Sequence, residues 1–216
     1  MSKRDFIAEI KELQKRLPDE AHTIFGHQGA ISELITLYPA EGLSSAEEVA
    51  ITHYITVRLV AVLQSAFRAV IRSTVDYNAR HKKPLPKVEE RITLEMVHEF
   101  ATNAVTLGEF VSHLMPLNSF SQMESSFEVV AGTSLQRVIA PHLDDNSAKK
   151  TPFSDVKQAI HGLFKERNVI CHEMREAEAV AKHALGKWLI AVLLLVTSLG
   201  IHEAQFIELS LPSSHR

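Results

Sequence analysis

Cysteine, strong charge and alternating patterns are what this sequence has least of. One cysteine, Cys171, stands among 216 residues. A lone thiol closes no disulfide within the chain and suits a reducing, cytoplasmic setting. Net charge is only −3, so the molecule as a whole is no electrostatic sponge for nucleic acid or anionic lipid. Any such contact must rest on a local patch. Apolar–polar alternation of the β kind is scarce, and no internal repeat or low-complexity segment is present. No His-Glu-x-x-His or paired-cysteine spacing occurs, so neither a metal nor a cofactor is expected. The apolar run "WLIAVLLLVTSLGI", Trp188 to Ile201, holds fourteen residues. Fourteen residues of helix span roughly 21 Å against a hydrocarbon core of roughly 30 Å. The run therefore reads as a buried helix, with no membrane expected as partner.

What is present is helical period. Apolar residues make up 45% of the chain and charged residues 23%, enough for one sizeable core. The start, "MSKRDFIAEIKELQKRL", reads as an amphipathic helix over 2–17, with Phe6, Ile10, Leu13 and Leu17 facing in. "QGAISELITLY" predicts a second, short helix. Ser44 with Glu47, or Ser45 with Glu48, offers a capping box ahead of the longest element. That helix is expected to last to about Tyr77, burying Val60, Leu63, Phe67, Val70 and Thr74. "NARHKKPLPKVEER" then breaks the pattern with two prolines and clustered charge, as an exposed loop does. Helices resume at Thr93, and "FSQMESSFEVVAG" predicts a short helix capped by Ser121 and stopped at Gly132. "PHLDDNSAKKTP" reads as a polar linker into a helix opened by Thr151-Pro152, and a final long helix passes through Trp188. The fold expected is an all-α bundle of long antiparallel helices under shorter covering helices. It is read as a single domain over 1–216, with an N-terminal helical extension of about 1–43.

One stretch departs from this order. In "FKERNVICHEM", 164–174, the spacing of Val156, Ile160, Leu163 and Phe164 continues to Arg167, Cys171 and Met174. An unpaired buried guanidinium costs several kcal/mol. Either the helix ends near Asn168 and Arg167 caps its last carbonyls, or Arg167 lines a cleft suited to phosphate. Asn168 and His172 are four apart and share a face of a helix, with Arg167 adjoining. An anion clamp, an orienting carboxamide and an imidazole would then converge, a kit for metal-free attack on a phosphodiester. Cys171 and His172 point to different sides as neighbours in sequence, so they make a poor thiol–imidazole pair. Cys171 is expected to be small and buried. His161, His172 and His183 recur every eleven residues, as along one uninterrupted helix. Each step rises roughly 16 Å, too far for one shared ion.

"RNVICH", late in an all-α chain, resembles the signature of the HEPN superfamily (higher eukaryotes and prokaryotes nucleotide-binding): Arg, four to six residues, then His. "VRLVAVLQSAFRAVIRSTVDY" and the apolar last helix fit the same helix order. The resemblance implies a metal-independent endoribonuclease, often a toxin or defence effector, working as a homodimer with its two motifs facing each other. An antitoxin or regulatory protein would be a further partner. It matches Arg167 and His172 to the catalytic pair and Asn168 to the polar neighbour. Many members have a carboxylate on the long helix; the nearest counterpart here is Gln64. The other class of function consistent with the motif is a helical module that binds a nucleotide or protein partner without cleaving.

RNA contacts are expected from two places. Arg58, Arg68 and Arg72 are expected to share a face of the long helix, since offsets of ten and fourteen nearly close whole turns. Arg80, Lys82 and Lys83 open the basic loop. Against this stands the plain alternative of a solvated helix face and a soluble loop. With few aromatics available for stacking, phosphate and shape contacts are expected to dominate.

Overall fold

A computed structural model describes residues 6–16, 24–38, 43–81, 83, 93–102, 104–143, 151–172 and 179–210. Among the described residues there are nine helices and no strand: α1 (Phe6–Arg16), α2 (Ile24–Thr36), α3 (Ser45–Arg80), α4 (Leu94–Ala101), α5 (Leu107–Leu114), α6 (Phe120–Ala131), α7 (Leu135–Leu143), α8 (Phe153–His172) and α9 (Lys182–Ser210). The chain is an all-α bundle.

The long helix α3 begins where a capping box places it. Ser44 Oγ accepts from the Glu47 amide at 3.4 Å, and the Ser44 amide donates to the Glu47 carboxylate at 2.9 Å. The Ser44 hydroxyl, donating to the Glu47 carboxylate at 2.7 Å, and then the Ser44 amide hold that carboxyl below its ordinary range. Val60, Leu63, Phe67, Val70 and Thr74 are all buried, as the period requires. The helix continues three residues past Tyr77, so Asn78, Ala79 and Arg80 belong to it rather than to the loop.

Three long elements carry the main core. Val180, just before α9, donates its amide to Thr52 Oγ1 at 3.2 Å, while Ser73 bonds the buried Glu203 further along. Helices α3 and α9 therefore run the same way. Gly162 on α8 backs onto Trp188, where an added Cβ would lie 3.2 Å from the indole nitrogen. With Val180 starting the next element, this makes α8 antiparallel to α9 and so to α3. Helix α2 joins the same core through Ile31 and Leu34. A smaller cluster of Ile7, Ile10, Val105 and Phe110 seats α1 against α5, with His113 Nε2 2.7 Å from Glu9. Ile10 is thus inward as expected, while the expectations for Phe6, Leu13 and Leu17 fall outside the described side chains.

The sharpest local constraint is at the start of α5. Asp76 accepts from the Gly108 amide at 2.7 Å and from Thr106 Oγ1 at 2.8 Å, acting as a second cap beside the Thr106–Glu109 box. Burial pushes the Asp76 carboxyl up, against the pull of those two hydrogen bonds. A Cβ on Gly108 would lie 2.2 Å from the Arg72 carbonyl oxygen, so only glycine allows the approach.

Several boundaries differ from the sequence reading. The cap of α6 is Ser119, whose side chain accepts from the Gln122 amide; Ser121 lies inside the helix. Gly132, at φ +67°, ends α6 as expected, because glycine alone takes that conformation without a Cβ penalty. Pro141, His142 and Leu143 are not linker but the last turn of α7. Pro152 stands at the mouth of α8, its carbonyl accepting from the Asp155 amide at 3.0 Å. The apolar run of α9 is embedded in a 29-residue helix, longer than the run alone implied. Ser45–Arg80 and Lys182–Ala204 are both long and apolar enough to cross a membrane, with 61% and 56% of their apolar windows buried inside the bundle. Core helices of a bundle satisfy that test as well.

Candidate functional site

Helix α8 builds the site. Phe153, Val156, Ile160, Leu163 and Phe164 recur at helical spacing and are buried, fixing the first three turns to α9, α3 and α6. Beyond Phe164 the burial stops, yet the helix continues to His172. Arg167 therefore caps nothing: the helix runs five residues past it. It is half-buried, and its guanidinium carbon lies 6.0 Å from the centroid of the Phe164 ring. Among the described residues no carboxylate or carbonyl is paired with it. Asn168 and His172 are exposed, and the unbroken helix puts them on one face. Cys171 is exposed too, which overturns the expectation that it is buried. Met174 lies outside the described residues.

Gln64 is not at the motif. Its amide nitrogen donates to the Leu117 carbonyl at 2.9 Å. Three residues on, the Phe120 ring meets the edge of His161 at 5.6 Å. Gln64 is therefore level with His161, and His172 stands roughly 16 Å further along α8. Because α8 and α3 are antiparallel, the level of the motif on α3 lies N-terminal to Gln64, where Arg58 is exposed. Tyr54, 55% exposed and four residues before Arg58, shares its side of the helix. An aromatic surface at the motif's end of the bundle was not anticipated. The signal was present in the sequence, because a stripe of Thr52, Ile55, Leu59 and Leu63 turned inward leaves Tyr54 and Arg58 outside.

The remaining cations are distributed differently. Arg68 donates to the Ser112 carbonyl at 2.7 Å, and Arg72 lies close enough to Asp76 to draw its carboxyl down. Both are half-buried and turned toward α5, so they are not on the side that Arg58 presents to solvent. Arg80 is exposed, and Lys83 lies 4.5 Å over the Tyr77 ring. Lys82 falls outside the described residues. Histidines 161 and 172 share α8, but the helix break before Lys182 puts His183 on α9, so no single helix aligns the three. Among the described residues no three His, Cys, Asp or Glu side chains are grouped to hold a metal ion.

Along the N-terminal half of α8, that helix and α9 part to leave a groove of about 530 Å³, lined by Asp155, Gln158, Ala159, Lys187, Ile190 and Leu194 among others. Its floor is apolar, and its rim carries Asp155, Lys187 and His183.

No family model, curated protein or solved structure matches the chain. What the site can do rests on its own chemistry. An exposed imidazole and a carboxamide share one face and can meet a phosphodiester from solvent, while Arg167, five residues before His172, lies about 140° around the same helix.

Proposed function

We propose that the chain is a metal-independent endoribonuclease of HEPN type, possessing in each copy one Arg167–Asn168–His172 cluster and working as a homodimer. The observation that supports this reading is the helical run from Phe164 to His172, which sets Asn168 and His172 on one solvent-facing side, with Arg167 half-buried on another side of the same helix. In the proposed reaction the RNA 2′-hydroxyl attacks the adjacent phosphorus. The P–O bond to the 5′ oxygen of the next nucleotide breaks as the new bond forms. One His172 takes the proton from the 2′-hydroxyl, and the partner's His172 donates one to the leaving oxygen. Arg167 stabilises charge on the non-bridging oxygens, and Asn168 orients substrate or imidazole. DNA, lacking the 2′-hydroxyl, survives. A toxin or defence role, held in check by an antitoxin or regulatory protein, belongs to the same reading.

The test compares wild type, His172→Ala and Arg167→Ala on a panel of RNAs with a chelator present. Cleavage by wild type alone supports the reading. Intact RNA with all three proteins at high concentration, or cleavage that needs added metal, ends it.

A second reading is a non-catalytic HEPN-like module that binds a nucleotide or protein partner. Gln64 favours it: the position nearest to a supporting carboxylate is an amide engaged with Leu117. Nucleotide binding by a chain that cleaves no RNA would decide for this alternative.

A further inference from the structure

The exposed residues of α8 do not stop at the motif. Gln158, His161, Lys165, Asn168 and His172 are all exposed, and they follow one another at intervals of three or four. Such spacing places them in a single line along the solvent face of a helix. Each step from His161 to His172 advances roughly 4.5–6 Å. No carboxylate interrupts the line over that length; Glu166 is half-buried and lies off it. His161 is held in place, since its ring meets the fully buried Phe120 edge-on. Of the three α3 arginines expected to track phosphates, Arg68 is engaged with Ser112 and Arg72 lies beside Asp76, which leaves Arg58 exposed.

We propose that this face of α8 is the track on which the RNA strand lies, with Lys165 and His161 contacting the phosphates next to the one held at the motif. The inference rests on the ribonuclease reading above. Lys165 supplies a fixed positive charge one to two turns from His172. His161 adds a ring nitrogen as hydrogen-bond donor, and Asn168 bridges the interval between Lys165 and His172. The contacts are to backbone, so they extend the bound length of strand without selecting its sequence.

The experiment measures binding of a labelled single-stranded RNA by fluorescence anisotropy across a salt series. The full chain carries His172→Ala so that the strand persists, and cleavage is measured in parallel with His172 intact. Lys165→Glu is expected to weaken binding about tenfold, and both it and Lys165→Gln to lower the slope of log K against log salt by roughly one contact. Lys165→Arg retains both affinity and slope, and His161→Ala weakens binding by a smaller factor than Lys165→Glu. Lys15→Glu, at an exposed lysine on α1, the helix seated on α5, serves as the control for net charge and leaves binding within twofold. Equal effects of Lys165→Glu and Lys15→Glu, with wild type still cleaving, would overturn the track and leave the ribonuclease reading standing. A wild-type chain that neither binds nor cleaves RNA overturns both.

Discussion

The two halves of α8 are one continuous helix with opposite surroundings. From Phe153 to Phe164, five apolar side chains are 8% exposed or less; from Lys165 to His172 none is buried. The first half is specified by packing, since interiors are close-packed and tolerate little change in volume. The second half keeps the same backbone with only Ile170 packed, half-buried, against the core, which leaves its exposed side chains available for chemistry. The difference teaches where the demands of packing relax along a single element. It also explains the polar composition of the motif: Arg167 and Asn168 begin where the core ends.

The largest effect that would sharpen this contrast is on activity. His172→Ala is expected to lower RNA cleavage by about 10²- to 10⁴-fold, the usual contribution of a positioned general acid or base. Its denaturant midpoint should match wild type, because His172 is exposed and supports no packing. A large loss of stability in this variant would break the contrast.

Next comes a change in the buried half. Leu163 is fully buried and sits one residue before the end of the core. Leu163→Ala is expected to cost about 2–5 kcal/mol in urea unfolding through lost transfer energy and the cavity left behind. Cleavage per folded molecule would change far less than in His172→Ala. If the loss falls below 1 kcal/mol, on the order of what a solvent-exposed leucine costs, the first half of α8 does not anchor the motif.

Much of this was legible in the residues. The inward stripe of α3 and its capping box follow from helical period and from Ser44 and Glu47, which act locally. The same period misled at Arg167 and Cys171. Extrapolating a buried face assumes that neighbouring helices continue alongside, and beyond Phe164 they cover α8 only in part, with Ile170 still packed on the core. Helix α7 was hidden by Pro141, which reads as a breaker. Near the end of a short helix it removes a single hydrogen bond, and Leu135, Ile139 and Leu143 still pack. Arg68 and Arg72 looked like surface cations because sequence spacing gives angles around a helix and cannot say where α5 docks. The motif's residue types could be read in advance. Its exposure could not, since exposure depends on where the other helices end.

A second histidine offers a contrast of burial with His172. His202, on α9, is largely enclosed, with its ring 5.8 Å from Phe127 and His142 nearby. Burial, aided by His142, pushes its pKa below the ordinary value. A depressed histidine pKa means the unfolded chain binds the proton more readily. The resulting stability is full above about pH 6.5, the unfolded value, and is lost as pH falls toward the folded pKa. Unfolding free energy is therefore expected to decline on acidification below about pH 6.5, and less steeply in His202→Asn. Equal slopes in the two proteins would remove His202 as the cause.

The smallest expected effect is the most direct measure of how little the exposed half matters to the fold. Asn168→Ala replaces a weak helix former by the strongest one at a solvent-facing position. It leaves no cavity and strands no buried polar group, so its unfolding free energy should lie within about 0.5 kcal/mol of wild type. Asparagine loses against alanine in a helix because its amide competes for nearby backbone groups. Its retention on an exposed face therefore brings the fold no advantage that alanine would not exceed. If Asn168 orients substrate or His172, cleavage falls while stability holds or rises slightly. A variant that instead loses both together would mean that the last turns of α8 are held by contacts through Asn168, and the separation between its two halves would move closer to the helix end.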